Sequence, residues 1–311
     1  MTTDKPLHTS RHKGGSGNRW LRLRRVSDRR SLCIVTGVLN SYSRLISFCL
    51  GYRTGLRVPR LAGAFVLFAG LFSGQIFAQT TIKVAAASDL QPVMPAFAYA
   101  YEKKTGVKLS VSFGSSATLA EQIVNGAPFD VFLGADFVFP EKVVAAGLAA
   151  TPAPLRYAKG TLVLFTRKDS GFNPLHMEAL TDPKVTKVAV ADQFQAPFGR
   201  AAYAAMNKLD LMKAVGPKLV SAPNVAQTAQ FVVSGNAQMG FVSLTLASSP
   251  QMKEIGNYVL VPKAYPEILQ YGVVMKNAPH KAEATAFFNW VRSNEVQEHL
   301  KEFGLEPVDT H

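Results

Sequence analysis

Residues 81–90 read TIKVAAASDL, and residues 107–136 read VKLSVSFGSSATLAEQIVNGAPFDVFLGAD. Two apolar, β-rich runs each end in small hydroxyl residues, and each cluster opens a helical stretch. Ser88 stands at the first strand-to-helix junction, and Ser115 and Ser116 at the second. A helix start exposes backbone N–H groups without intrahelical acceptors and the positive end of the helix dipole, so it suits an anion. Two such starts carried by neighbouring parallel strands can converge on one small oxyanion. Taken singly, each junction also reads as ordinary N-capping by Ser.

Outward from this stretch, strand and helix patterns alternate. Strands are expected at 82–87, 107–113 and 129–133, with helices at 89–104, 116–125 and 136–146 between and after them; Gly106, Gly126 and Gly147 stand at the helix ends. Further strands are expected at 161–167, 185–191, 238–243 and 268–275, and helices at 198–213, 224–234 and across 281–303. Regular β-α-β alternation with short loops implies an α/β fold with doubly wound, mostly parallel sheets. No linker separates the halves. The alternation therefore fits a chain that builds part of one lobe, crosses to make a second and crosses back, near 165–168 and 270–272. Lobe 1 is expected at 79–164 and 272–311, lobe 2 at 165–271, with the ligand cleft at the carboxyl ends of the strands.

Charge divides the chain. The net charge of +13 would suit nucleic acid or an acidic membrane surface. Residues 1–78, however, hold 13 Lys and Arg against Asp4 and Asp28, a balance of +11, and the remaining residues balance at +2. A nucleic-acid partner is not expected for the folded part. Both cysteines, Cys33 and Cys49, also precede residue 79. Disulfides, Cys nucleophiles and thiolate metal sites are thereby excluded from the rest of the chain.

Residues 57–78 read RVPRLAGAFVLFAGLFSGQIFA. Arg57 and Arg60 precede an uncharged apolar run and a small-residue end at Ala78, the layout of a secretory signal peptide. Residues 1–78 are therefore read as a leader: an over-extended start, with translation beginning near Leu56 or Val58, followed by signal peptide 57–78. A twin-arginine signal around Arg29 and Arg30 and a retained anchor are the alternatives. The mature protein is expected in the periplasm.

Two further junctions offer donors. Gln195-Ala196-Pro197-Phe198-Gly199-Arg200 precedes a long helix, where Pro197 suits the first turn and leaves the next N–H groups unpaired. In Ala222-Pro223-Asn224-Val225, Asn224 can cap a helix and free the Val225 N–H. Asp89 reads as a first-turn acid favoured by the helix dipole. Arg200, three residues after Pro197, reads as a helix residue facing solvent, with an anion contact as the alternative. Four scattered histidines (His176, His280, His299, His311) lack metal-ligand spacing, so no cation site is expected.

With AAAS at 85–88, FGSSATLAEQI at 113–123 and GAPFDVFLGAD at 126–136, the chain resembles the periplasmic molybdate-binding proteins of ABC importers, from about residue 81 to about 307. That resemblance implies a two-lobed periplasmic-binding-protein fold with two crossover strands. It implies capture of molybdate or tungstate between the lobes and delivery to the membrane permease of an ABC importer. Residue by residue it implies two Ser hydroxyls, Ser88 and Ser116, and two backbone N–H groups, those of Phe198 and Val225, whose side chains are then free to vary. Ser115 could share the role of Ser116. Where some members carry a contacting Tyr, this chain has Gly-Phe-Val-Ser-Leu at 240–244, so Ser243 is a further, shorter candidate.

An enzyme would need parts that the sequence lacks. There is no G-x-S-x-G elbow, no Walker A loop and no histidine placed by local sequence beside the Gly114–Ser116 cluster. The expectation is a monomeric binding protein without a cofactor. A carrier of another tetrahedral oxyanion such as sulfate is the first alternative, followed by a sensor domain and a hydrolase.

Overall fold

The structure, a computed structural model, describes residues 79–309. The leader, its signal peptide and both cysteines lie outside the described residues.

Two five-stranded sheets are built on one plan. The first contains β1 (Thr81–Ala87), β2 (Lys108–Gly114), β3 (Val131–Gly134), β4 (Leu155–Gly160) and, from much later in the chain, β10 (Ile268–Val274). The second contains β5 (Leu162–Arg167), β6 (Val188–Ala191), β7 (Leu219–Ala222), β8 (Met239–Ser243) and β9 (Gly256–Leu260). Their orders are β2-β1-β3-β10-β4 and β7-β6-β8-β5-β9. In each sheet four strands point one way, three of them paired parallel, and a single strand, β10 in the first and β5 in the second, runs against them and pairs antiparallel on both sides. The two-lobed α/β architecture expected from the alternation is therefore present, with one antiparallel strand in each sheet that alternation alone does not reveal. Strands β4, β7 and β9 went unforeseen, being short and partly exposed with no continuous apolar run.

The chain changes sheets at Thr161, between β4 and β5, and returns through residues 261–267. Both crossings thus precede the expected positions near 165–168 and 270–272. β5 pairs throughout with β8 and β9, and β10 with β3 and β4. Each apolar run is thus one strand of one sheet, and the connecting residues alone cross.

Helices cover the sheet faces. α1 (Met94–Thr105), preceded by a single 3₁₀ turn at Ser88–Leu90, packs on one face of the first sheet with α9 (Lys281–Val291) and α10 (Asn294–Gln297). Phe97, Tyr101, Phe287 and Trp290 meet there edge-on or tilted, with centroids 5.1–6.2 Å apart. α2 (Ser116–Val124) and α3 (Val138–Ala145) cover the opposite face over Ala85, Phe132 and Val273. In the second lobe, α4 (Pro197–Lys208) and α6 (Val225–Val233) pack on Val188, Val190, Phe241 and Val242. The helix expected over 198–213 breaks at Asp210, where φ is +55°, and restarts as α5 (Met212–Val215). α7 (Leu244–Ala247) and α8 (Pro250–Ile255) follow β8. No helix among the described residues is long and apolar enough to cross a membrane.

Candidate functional site

The carboxyl ends of β1 and β2 and the starts of α2, α4 and α6 meet at one small pocket. It leaves about 190 Å³ of space between atoms, part of it open to solvent, and is lined by Ser88, Asp89, Ser115, Ser116, Phe198 and Val225 among others. Five of the six candidate contacts named from the sequence, drawn from both lobes, come together here.

Local hydrogen bonding holds the two serines at the start of α2. Ser115 is the N-cap of α2: its Oγ accepts from Thr118 N–H at 3.1 Å and lies 2.8 Å from Thr118 Oγ1. Ser116, buried at the first helical position, accepts from Ala135 N–H at 3.0 Å. A hydroxyl that accepts from an amide keeps its own proton to give, so Ser116 remains a donor. The next N–H, that of Ala117, donates across the cleft to Gln195 O at 3.2 Å and ties the first lobe to the second.

On the other lobe the donors are backbone groups. Asp192 Oδ1 accepts from Phe194 N–H at 2.9 Å and Gln195 N–H at 3.0 Å, which shapes the turn before α4. Pro197 takes the first position of α4, and Phe198 N–H follows in the first turn, where no intrahelical carbonyl can reach it. Gly199 is required there, since a Cβ would lie 2.3 Å from Ala191 O. Asn224 caps α6 by accepting from Gln227 N–H at 3.0 Å, which leaves Val225 N–H at the helix start.

The Phe198 side chain is not free to vary. Its ring is 2% exposed and packs on Gly160 beside the crossover, where a Cβ would come 2.7 Å from Cζ. The side chain thus supports the junction between the lobes, at a residue that also lines the pocket.

Ser243 does not join the group. It caps α7, accepting from Leu246 N–H at 3.4 Å, and its Oγ lies 2.7 Å from Thr245 Oγ1. Thr245 gives its one hydroxyl proton to Asp89 O at 2.7 Å, so the Ser243 proton must go to Thr245. Nothing remains for a ligand.

The two charged residues singled out from the sequence fare differently. Arg200 stays exposed, as expected, and does not line the pocket: its Nη1 pairs with Asp136 Oδ2 at 2.9 Å, joining α4 to the loop that opens α3. Burial raises the Asp136 carboxyl, while the cap to Phe139 N–H and Arg200 oppose that rise. Asp89 stands in a first turn, as expected, that of the 3₁₀ turn at Ser88–Leu90, but there it is buried. It is 1% exposed, and burial pushes it up to about 7 against a hydrogen bond from Gln270. Gln270, Tyr157 and Thr245, which surround it, carry no local sequence signal and are assembled by the fold alone.

No Lys, Arg or His lines the pocket among the described residues, and no group of three or more His, Cys, Asp or Glu could hold a metal ion there. The arrangement offers neutral donors, hydroxyl and amide, around a space sized for a small ion.

The bacterial extracellular solute-binding protein family matches residues 82–306. The molybdate-binding protein ModA of Rhodobacter capsulatus is 34% identical over 205 residues, covering 66% of this chain and 79% of the relative. That of Azotobacter vinelandii is 34% identical over 224 residues, covering 72% and 88%. The solved periplasmic molybdate-binding protein of Azotobacter vinelandii superposes with a TM-score of 0.67 at 30% identity, covering 73% of this chain and all of the other. These relatives are binding proteins rather than enzymes. The chain belongs to the bacterial extracellular solute-binding proteins, among the periplasmic molybdate-binding proteins of ABC importers.

Proposed function

We propose that this chain captures molybdate or tungstate in the periplasm, closes its two lobes around the oxyanion, and delivers it as a monomer to the membrane permease of an ABC importer. One observation carries the reading. Ser88 and Ser116 from one lobe and Phe198 and Val225 from the other line a single small pocket with no Lys, Arg or His among its lining residues. A fully ionised tetrahedral oxyanion has only acceptor oxygens, so a ring of neutral donors satisfies it, each bond being charge-assisted. The donors contact oxygens, and no protein group ligates the metal atom. Ser115 serves as cap to α2 and supports Ser116. The expected signal peptide at 57–78 supports export.

Titration of the purified protein with molybdate, tungstate, sulfate and phosphate, followed by thermal shift and calorimetry, tests this. A ligand that binds the folded form alone stabilises it by mass action. Molybdate and tungstate are expected to raise the melting temperature at micromolar concentration. A shift with sulfate alone would favour the other-oxyanion reading, and no shift with any of the four would reject the site.

A further inference from the structure

The pocket proposed for an oxyanion contains a carboxylate. Asp89 lines it, is 1% exposed, and has no cation beside it. Its Oδ2 accepts from Gln270 Nε2. Asp89 Oδ1 and Gln270 Oε1, both buried, have no partner. An ionised carboxylate and an amide carbonyl are acceptors only, so this pair holds two acceptors with no donor between them. Unsatisfied buried acceptors carry their full desolvation cost. A proton on Oδ1 turns one of the two into a donor.

The surroundings offer no other remedy. α6 and α7, packed against the turn that carries Asp89, contain no titratable residue. β2 presents Gly114 at this end, with Lys108 at the opposite end of the strand. β4 brings Tyr157, whose hydroxyl donates to Gly134 O at 3.0 Å and is held well above its ordinary value, so it stays neutral. β10 brings Gln270, and the adjacent Tyr271 is engaged by Arg156. Asp136 and Arg200, near the pocket, neutralise each other.

We propose that the cleft takes up its dianion together with one proton, held on the Asp89 carboxyl beside Gln270. This rests on the oxyanion reading above and adds a proton linkage to it. Two negative charges arriving next to Asp89 disfavour its ionised form further. Where Asp89 is already protonated the ligand enters without cost; where it is ionised, binding must recruit a proton. Affinity is then level at low pH and weakens about tenfold per pH unit above the point where the empty protein loses that proton.

Calorimetric titration of the purified protein with sodium molybdate, in two buffers of different ionisation heat, counts the protons taken up. With Asp89 titrating near 7 in the empty protein, about 0.9 proton should enter per molybdate at pH 8 and about 0.1 at pH 6. Asp89→Asn has no titrating proton, and its amide can satisfy Gln270. It should take up none and bind with equal affinity at both pH values. A second readout needs no ligand. The folded protein keeps the Asp89 proton to about 7, whereas the unfolded chain loses it near 3.8. The empty protein therefore loses stability as pH rises across that window, and Asp89→Asn removes the slope. Molybdate binding at pH 8 without proton uptake would overturn this inference and leave the oxyanion reading standing. No binding at either pH would overturn that reading instead. Proton uptake retained in Asp89→Asn would place the proton elsewhere and also overturn it; should the variant fail to fold, the wild-type proton count decides alone.

Discussion

The two lobes share one sheet plan, yet on the function proposed above they present different chemistry to the same pocket. The first offers side chains, Ser88 and Ser116, at strand ends where the helix begins with a hydroxyl. The second offers backbone, the first-turn N–H groups of α4 and α6, with Pro197 and Asn224 beside them to shape the helix starts. A hydroxyl site depends on residue identity. A backbone site depends on where the chain turns, and its side chains answer to other demands, as the Phe198 ring does in packing on Gly160. One lobe can thus be silenced by deleting an oxygen, whereas the other requires removal of an amide proton.

The largest expected effect comes from striking the first lobe twice. Loss of one hydrogen bond to a charged partner costs about 1.5–3 kcal/mol. Ser88→Ala combined with Ser116→Ala should therefore weaken molybdate binding by roughly 10²- to 10⁴-fold in calorimetry. The single variants should also differ from each other. Ser116→Ala orphans Ala135 N–H and lowers the melting temperature of the empty protein, whereas Ser88→Ala, which no protein hydrogen bond to its hydroxyl restrains, should leave it nearly unchanged. Binding within twofold of wild type in the double variant would reject the assigned donors.

The second lobe is tested by a pair of substitutions at one residue. Val225 sits at the first position of α6, where proline is tolerated, and Asn224 before it is extended with φ −154° and ψ 171°. Val225→Pro therefore removes the N–H without breaking the helix and should raise the dissociation constant about 10- to 150-fold. Val225→Ala keeps the N–H and should hold affinity within about twofold while lowering stability by about 1 kcal/mol through lost packing. Equal affinity loss in both would show that the side chain, not the amide, matters.

The smallest effect concerns what holds the lobes together. The Arg200–Asp136 pair is partly exposed on the Arg200 side, and such pairs contribute at most about 1 kcal/mol. Arg200→Ala should speed molybdate release by about two- to fivefold, less at high salt, as stopped-flow displacement would read. A larger loss, independent of salt, would mean that Arg200 reaches the anion and that the second lobe contributes charge as well as backbone.

Much of this was legible in residue order. Apolar runs of β-rich residues ended by small hydroxyls gave β1, β2 and their helices, because strand period, N-cap chemistry and helix-stop glycines act within a few residues. Asn224 before Val225 was readable as a cap for the same reason. Ser243 was misleading, since its motif position says nothing of Thr245, which takes its proton because Thr245 gives its own to Asp89 O, 156 residues away in sequence. Arg200 was read correctly as an exposed helix residue, but its ion pair was not legible because the partner, Asp136, lies 64 residues earlier.

By itself, then, the sequence determined the local events: which continuous apolar runs form strands, roughly where the helices between them lie, and which junctions carry small hydroxyl or capping residues. Each follows from dihedral preference, side-chain period and capping, which act at short range. Tertiary structure alone decided that four such junctions face one pocket, that the chain changes sheets at Thr161, and that Asp89 is buried against Gln270, 181 residues away. Those outcomes depend on strand pairing and desolvation between distant segments, and a carboxylate's environment, unlike its identity, exists only once the sheets have closed around it.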